Sequence, residues 1–231
     1  MSAEPLSLDR RQRRRQETIA EVVDVAAEIM AEHGVAGLSV GEVARRMGIR
    51  PPSLYGYFPS KHALYDALFA RGAGMVLERV RAEAQSIDLD SQALDELLLR
   101  SAEVFVGWSI EHPAYTQLLF WRPVPGFTPS AEAYAPAIEL VEFSRAWFTT
   151  LRERGLIRAD VDIDEVHRDW TILISGVISQ QLSNAPGEPM AAGRFTAALP
   201  SLAAMFARHC GTQTNARPST RAKETRRVRK H

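Results

Sequence analysis

Apolar residues recur at three- and four-residue steps along most of this chain, and no segment alternates convincingly with period two. A half-buried strand needs period two and an amphipathic helix needs period 3.6, so the pattern predicts an all-α fold. From Gln16 to Ala31 the positions Ile19, Val22, Val23, Ala26, Ile29 and Met30 form one such stripe, with Gly34 placed to end the helix. Ser39-Val-Gly-Glu42 has the form of a capping box, starting a short helix whose inner face is Val40, Val43, Ala44 and Met47. Gly48 stops that helix, and Arg50-Pro51-Pro52 cannot continue it, because proline lacks an amide donor and disfavours α geometry in the residue before it. Pro52 suits the first position of a new helix over Ser53–Phe58, and Ser60 caps the next one, from Lys61. Further helices are expected at 91–111, 113–121, 131–154, 164–184 and 190–209, the last kinked or interrupted by Pro200.

The 231 residues suffice for one or two domains with real cores. The single cysteine, Cys210, excludes an internal disulfide framework, and no apolar run reaches the roughly 18 residues of a membrane span. Residues 1–30 lack the apolar stretch of a secretory signal, so a soluble protein of a reducing cytoplasm, with no membrane contact, is expected. The 28 basic and 28 acidic side chains cancel, which argues against a nucleic-acid partner until their placement is considered. Residues 1–62 carry a balance of +1, residues 63–210 of −7 and residues 211–231 of +6. Five arginines crowd into positions 10–15. An acidic body with cationic ends would orient one face toward DNA rather than attract it in bulk.

Helix, short helix, glycine turn and second short helix in this order fit a helix-turn-helix, whose second short helix enters the major groove. Leu38-Ser39-Val40-x-x-Val43-Ala44-x-x-Met47-Gly48-Ile49-x-x-x-Ser53-Leu54-Tyr55-x-Tyr57-Phe58-x-x-Lys61-x-x-Leu64 resembles the N-terminal domain of TetR-family transcriptional regulators at nearly every diagnostic position. The domains expected are a basic arm at 1–15, a DNA-binding head at 16–62, a helical ligand-binding and dimerisation body at 63–210, and a basic disordered tail at 211–231.

Each residue type has a physical role in such a head. Ser39 and Val40, at a helix N-terminus, suit a phosphate, and the resemblance places them on the DNA backbone. Tyr55, Tyr57 and Lys61 are expected phosphate clamps that set register. Base-facing positions depart from the family's usual long polar side chains: Pro51 and Pro52 suit thymine methyls, Ser53 bonds to several bases, and Arg50 is the one long donor near a guanine edge. Arg13, Arg14 and Arg15 are expected to lie along phosphates or in the adjacent minor groove.

For the body the resemblance implies a ligand pocket and a two-fold pairing of the last two helices. Phe105, Trp108, Tyr115, Phe120, Phe143, Trp147 and Trp170 are candidate pocket walls, which favours a hydrophobic or aromatic effector. Val166, Trp170, Ile174, Val177 and Gln181, then Phe195, Leu199 and Leu202, form long stripes expected to pair with a second copy. No nucleophile elbow, phosphate-cradling glycine loop or zinc-type cysteine spacing occurs, so no enzyme activity, metal or cofactor is expected. The whole reads as a repressor that binds a palindromic operator as a homodimer, associated with the nucleoid when bound to DNA.

Overall fold

A computed structural model describes residues 5–89 and 91–212. Among the described residues the chain is helical throughout, with no strand beyond an isolated bridge between Ile157 and Gly211. None of its helices is long and apolar enough to cross a membrane. The helices are α1 (Pro5–His33), α2 (Val40–Arg46), α3 (Pro51–Tyr55), α4 (Lys61–Ser86), α5 (Leu94–Glu111), α6 (Pro113–Phe120), α7 (Ala131–Glu153), α8 (Ile163–Asn184) and α9 (Leu199–Cys210).

The head is α1 to α3 packed on the start of α4. Gly48, at φ 66, takes the left-handed conformation that lets the chain reverse between α2 and α3 without Cβ strain. Arg50 is the extended residue before α3, and Pro51 and Pro52 occupy its first positions, where missing amide donors cost nothing. The helix therefore starts earlier than Ser53 and ends at Tyr55, after which the amides of Tyr57 and Phe58 both donate to the Leu54 carbonyl. Ser60 caps α4 as expected, its hydroxyl accepting from the Ala63 amide at 3.1 Å.

Three local expectations change. The capping box does not form: Ser39 makes no side-chain bond to α2, and the Glu42 carboxylate binds Arg45 and Arg46 rather than the Ser39 amide. Charge-assisted pairs of this kind outweigh a neutral amide contact, and they hold the Glu42 carboxyl down at about 2, Arg45 contributing most. Helix α1 starts at Pro5 rather than Gln16, so Arg10–Arg15 sit on helix and not in an arm before one. The 190–209 segment is not one helix: 3₁₀ turns at Met190–Ala192 and Thr196–Ala198 precede α9, with Pro200 in its first turn.

Two apolar clusters form the interior. One joins α1–α4 to Trp108, Ala114, Tyr115 and Leu118, so the head shares its core with α6 and the end of α5. Gly72 of α4 allows this contact, because a Cβ there would meet the Tyr115 ring at 2.6 Å. The Tyr65 hydroxyl, buried, donates to the Val35 carbonyl at 2.7 Å, and an Asp24–Arg71 pair ties α1 to α4. The second cluster lies among α5, α7, α8 and α9. Asp66 of α4 accepts from the amide and hydroxyl of Ser130 at 2.7 and 2.6 Å, fixing where α7 begins. The tail beyond Thr212 lies outside the described residues.

Candidate functional site

Leu54 and Phe58 anchor α3 in the head core, at 0% and 6% exposure, which turns the rest of this short helix outward. Arg50, Pro51, Pro52, Ser53 and Tyr55 are all exposed. Tyr55 is 51% exposed and so is a surface group rather than a core tyrosine. Tyr57, half-buried, carries the Arg15 guanidinium over its ring at 5.1 Å, and Arg15 Nη2 donates to the Gly56 carbonyl at 3.3 Å. One arginine of the basic run is thereby docked on the end of α3. On the other flank Lys61 Nζ donates to the Ala36 carbonyl at 3.4 Å and lies 5.4 Å from the Tyr65 ring centre.

Ser39 is exposed, and its hydroxyl is left without a helix partner. Val40 is a core residue, its side chain turned into the head. Arg13 and Arg14 are exposed on α1. A helix is about 10–12 Å across and the minor groove about 6 Å wide, so the helix itself does not fit into that groove.

In the body, a cavity of about 300 Å³ opens between α4, α5, α7, α8 and the end of α6. Five of the seven expected wall residues line it: Phe105, Phe120, Phe143, Trp147 and Trp170. Trp108 and Tyr115 do not. Both are buried in the core shared with the head, Trp108 beside His112 and Tyr115 beneath Gly72, and their indole N–H and hydroxyl make no hydrogen bond among the described residues. Burial pushes the Tyr115 hydroxyl pKa up and the His112 imidazole pKa down. Missed by sequence reasoning were Phe69, Ala73, Val76 and Val80 of α4, Tyr134 of α7 and His167 of α8. The α4 group was open to recognition, since its three- and four-residue spacing continues the Leu64–Leu68 stripe.

The stripe assigned to a second copy turns inward. Val166, Trp170, Ile174 and Val177 are buried in the chain's own core, and Leu199 with them. Gln181, 1% exposed, fastens a loop: its carbonyl oxygen accepts from the amides of Phe195 and Thr196, and its amide donates to the Ala185 carbonyl at 2.9 Å. Phe195 and Leu202 are half-buried. The outward faces of these helices instead present Ile172, 64% exposed, with Ser175 and Gly176 on α8, and Met205 on α9. Among the described residues no three His, Cys, Asp or Glu side chains gather as a metal site. Cys210 is buried, its thiol pKa pushed up to about 11 by desolvation. A thiol reagent at neutral pH should modify it only after denaturation, because the reactive thiolate is absent; stoichiometric labelling of the native protein would show that α9 opens.

A helix-turn-helix head on a helical body that encloses an apolar cavity defines the class of protein. Residues 22–68 match the family of bacterial regulatory proteins named tetR, and the chain carries that family's N-terminal domain. An HTH-type transcriptional regulator of Mycobacterium tuberculosis is 28% identical over 113 residues, 49% of this chain and 47% of the relative. The HTH-type transcriptional repressor KstR2 of Rhodococcus jostii is 26% identical over 152 residues, covering 64% and 72%. The chain spans about half the length of the first curated relatives it matches. The TetR-family regulator PfmR of Thermus thermophilus has the same fold, at a TM-score of 0.60, 19% identity and coverage of 81% and 97%.

Proposed function

We propose that the protein is a ligand-responsive transcriptional repressor that binds a palindromic operator as a homodimer, each α3 lying in the major groove. The carrying observation is the presentation of α3: anchored by Leu54 and Phe58, flanked by Arg15 and Lys61, with Arg50, Pro51, Pro52, Ser53 and Tyr55 free to meet DNA. Arg50 and Ser53 supply hydrogen bonds to base edges, the prolines supply thymine-methyl contacts, and Ser39, Tyr55, Tyr57 and Lys61 hold phosphates. A five-residue helix reads few base pairs, so two heads on a two-fold axis, with half-sites about 34 Å apart, supply the rest of the specificity. The outward faces of α8 and α9 are the surface offered for that pairing. A hydrophobic or aromatic effector occupies the body cavity and lowers operator affinity. Selection from a random DNA pool should yield a palindromic consensus; binding without enrichment, or no binding, overturns the reading.

The arginine helix makes a separate prediction. Replacing Arg13, Arg14 and Arg15 with alanine removes up to three phosphate contacts, so the slope of log affinity against log salt should shrink by up to about 2.7. Specificity should persist, because these contacts carry no base information. An unchanged salt slope would remove the helix from the DNA interface.

A further inference from the structure

We propose that the molecule this cavity takes is uncharged and mainly apolar, and carries one hydroxyl or carbonyl group that hydrogen-bonds to Ser144 and His167. This rests on reading the cavity as the effector site. Most of the wall is aromatic and aliphatic; besides the Tyr134 hydroxyl and the indole N–H groups of Trp147 and Trp170, five polar side chains reach it: Glu83, Ser101, Ser144, His167 and Thr171. Three are already engaged. Glu83 accepts from Arg100, the Ser101 hydroxyl donates to the Leu98 carbonyl, and the Thr171 hydroxyl donates to the His167 carbonyl. The Ser144 hydroxyl and the His167 ring nitrogens make no hydrogen bond among the described residues, although the imidazole packs edge-on against Phe148 at 6.0 Å.

Both groups line the cavity where α7 and α8 meet. Ser144 precedes Arg145 on α7, His167 lies one turn beyond Asp164 on α8, and a bidentate Arg145–Asp164 pair clamps these two segments side by side. Burial pushes the His167 pKa down, so its ring is neutral near pH 7, with one nitrogen donating and the other accepting. A hydroxyl or carbonyl matches that set. An apolar molecule filling the same space would strip water from both groups and leave them unpaired, a penalty that sites built around a hydroxyl use to reject analogues lacking one.

Charge is disfavoured in both signs. No lysine or arginine lines the cavity among the described residues. Three guanidiniums adjoining wall residues are engaged: Arg100 by Glu83, Arg145 by Asp164, and Arg81 by Glu139 while it lies against the Phe143 ring. A bound carboxylate would enter an apolar wall without a free counter-charge, and a bound cation would have to compete with Arg100 for Glu83.

Three probes of one shape test this on the full-length protein: 2-naphthol, naphthalene and naphthalene-2-carboxylate, titrated against the emission of tryptophans that include Trp147 and Trp170 in the wall. The naphthol should bind at least about tenfold more tightly than either of the others. Ser144→Ala should remove most of that advantage while leaving naphthalene affinity within about twofold, and His167→Phe, which keeps a ring in the wall, should lower the ratio of naphthol to naphthalene affinity as much; the serine variant removes only a hydroxyl and keeps the fold. Equal binding of all three probes, preference for the carboxylate, or no saturable quenching by any of them overturns the proposal. Preferred naphthol binding that leaves an operator complex intact would uphold the ligand class and count only against the effector role.

Discussion

Leu54→Ala is expected to reduce operator binding to the level of random DNA while leaving naphthol binding in the body within about twofold of the unmodified protein. Helix α3 has five residues, far below the length at which a helix holds itself in water. Its position therefore depends on what it is pinned to, and Leu54 at 0% exposure is its one side chain in the core. Truncating a fully buried leucine costs about 2–5 kcal/mol, in transfer energy plus the cavity left behind. That loss falls on the cluster of α1–α4 and not on the one among α5, α7, α8 and α9. Specific binding typically exceeds non-specific binding by about 10³-fold or more, and this margin is what should disappear in a fluorescence-anisotropy titration. Ser53→Ala removes a base contact without touching the core and should cost only about tenfold. Operator affinity within tenfold of the unmodified protein for Leu54→Ala would mean that α3 does not carry the recognition.

The parts of this molecule that were legible in the sequence are those decided within a few residues. Gly48, the Pro51-Pro52 pair and the Ser60 cap each act on their own neighbourhood, and the turn, the start of α3 and the start of α4 follow from them. The N-terminal extension of α1 was hidden for the opposite reason. Arginine and glutamine are good helix formers, but a polar run carries no apolar period to reveal it. Periodicity also marked the α8 stripe correctly as buried without telling what buries it, because a chain's own core and a second chain offer the same apolar surroundings. Gln181 illustrates the difficulty: a polar residue on an apolar stripe suggests an interface, whereas its amide in fact satisfies three backbone groups of the loop leading to α9. The cavity walls come from α4, α5, α6, α7 and α8, so which aromatic rings face one another is a tertiary fact. That is why Trp108 and Tyr115 fell on the wrong side of α5 and α6 while Phe105 and Phe120, on the same helices, line the cavity.

Ile172→Arg should separate assembly from fold. Ile172 is 64% exposed and lies across α8 from Trp170 and Ile174, which are buried, so a charged side chain there disturbs no packing within the chain. It also points away from the cavity, which Thr171 and Ile174 line, so naphthol binding should survive. Ser175 and Gly176 beside it are small enough for a second helix to approach closely, and Met205 of α9 is a further exposed apolar residue. On a two-fold axis every substitution acts twice, and two guanidiniums facing each other in a desolvated contact are strongly repelled. Light scattering at micromolar concentration should then report a monomer for the variant and a dimer for the unmodified protein. Operator affinity should fall by about 10²–10⁴, the advantage lost when the second head no longer binds as part of the same molecule. Ile174→Ala gives the converse result: a loss of about 2–5 kcal/mol in stability from a truncated core, with the dimer retained at temperatures where the chain stays folded. A dimer that persists in Ile172→Arg with unchanged operator affinity would move the pairing surface off α8, and the apolar face of α7 at Tyr134, Ile138 and Val141 would become the next surface to test.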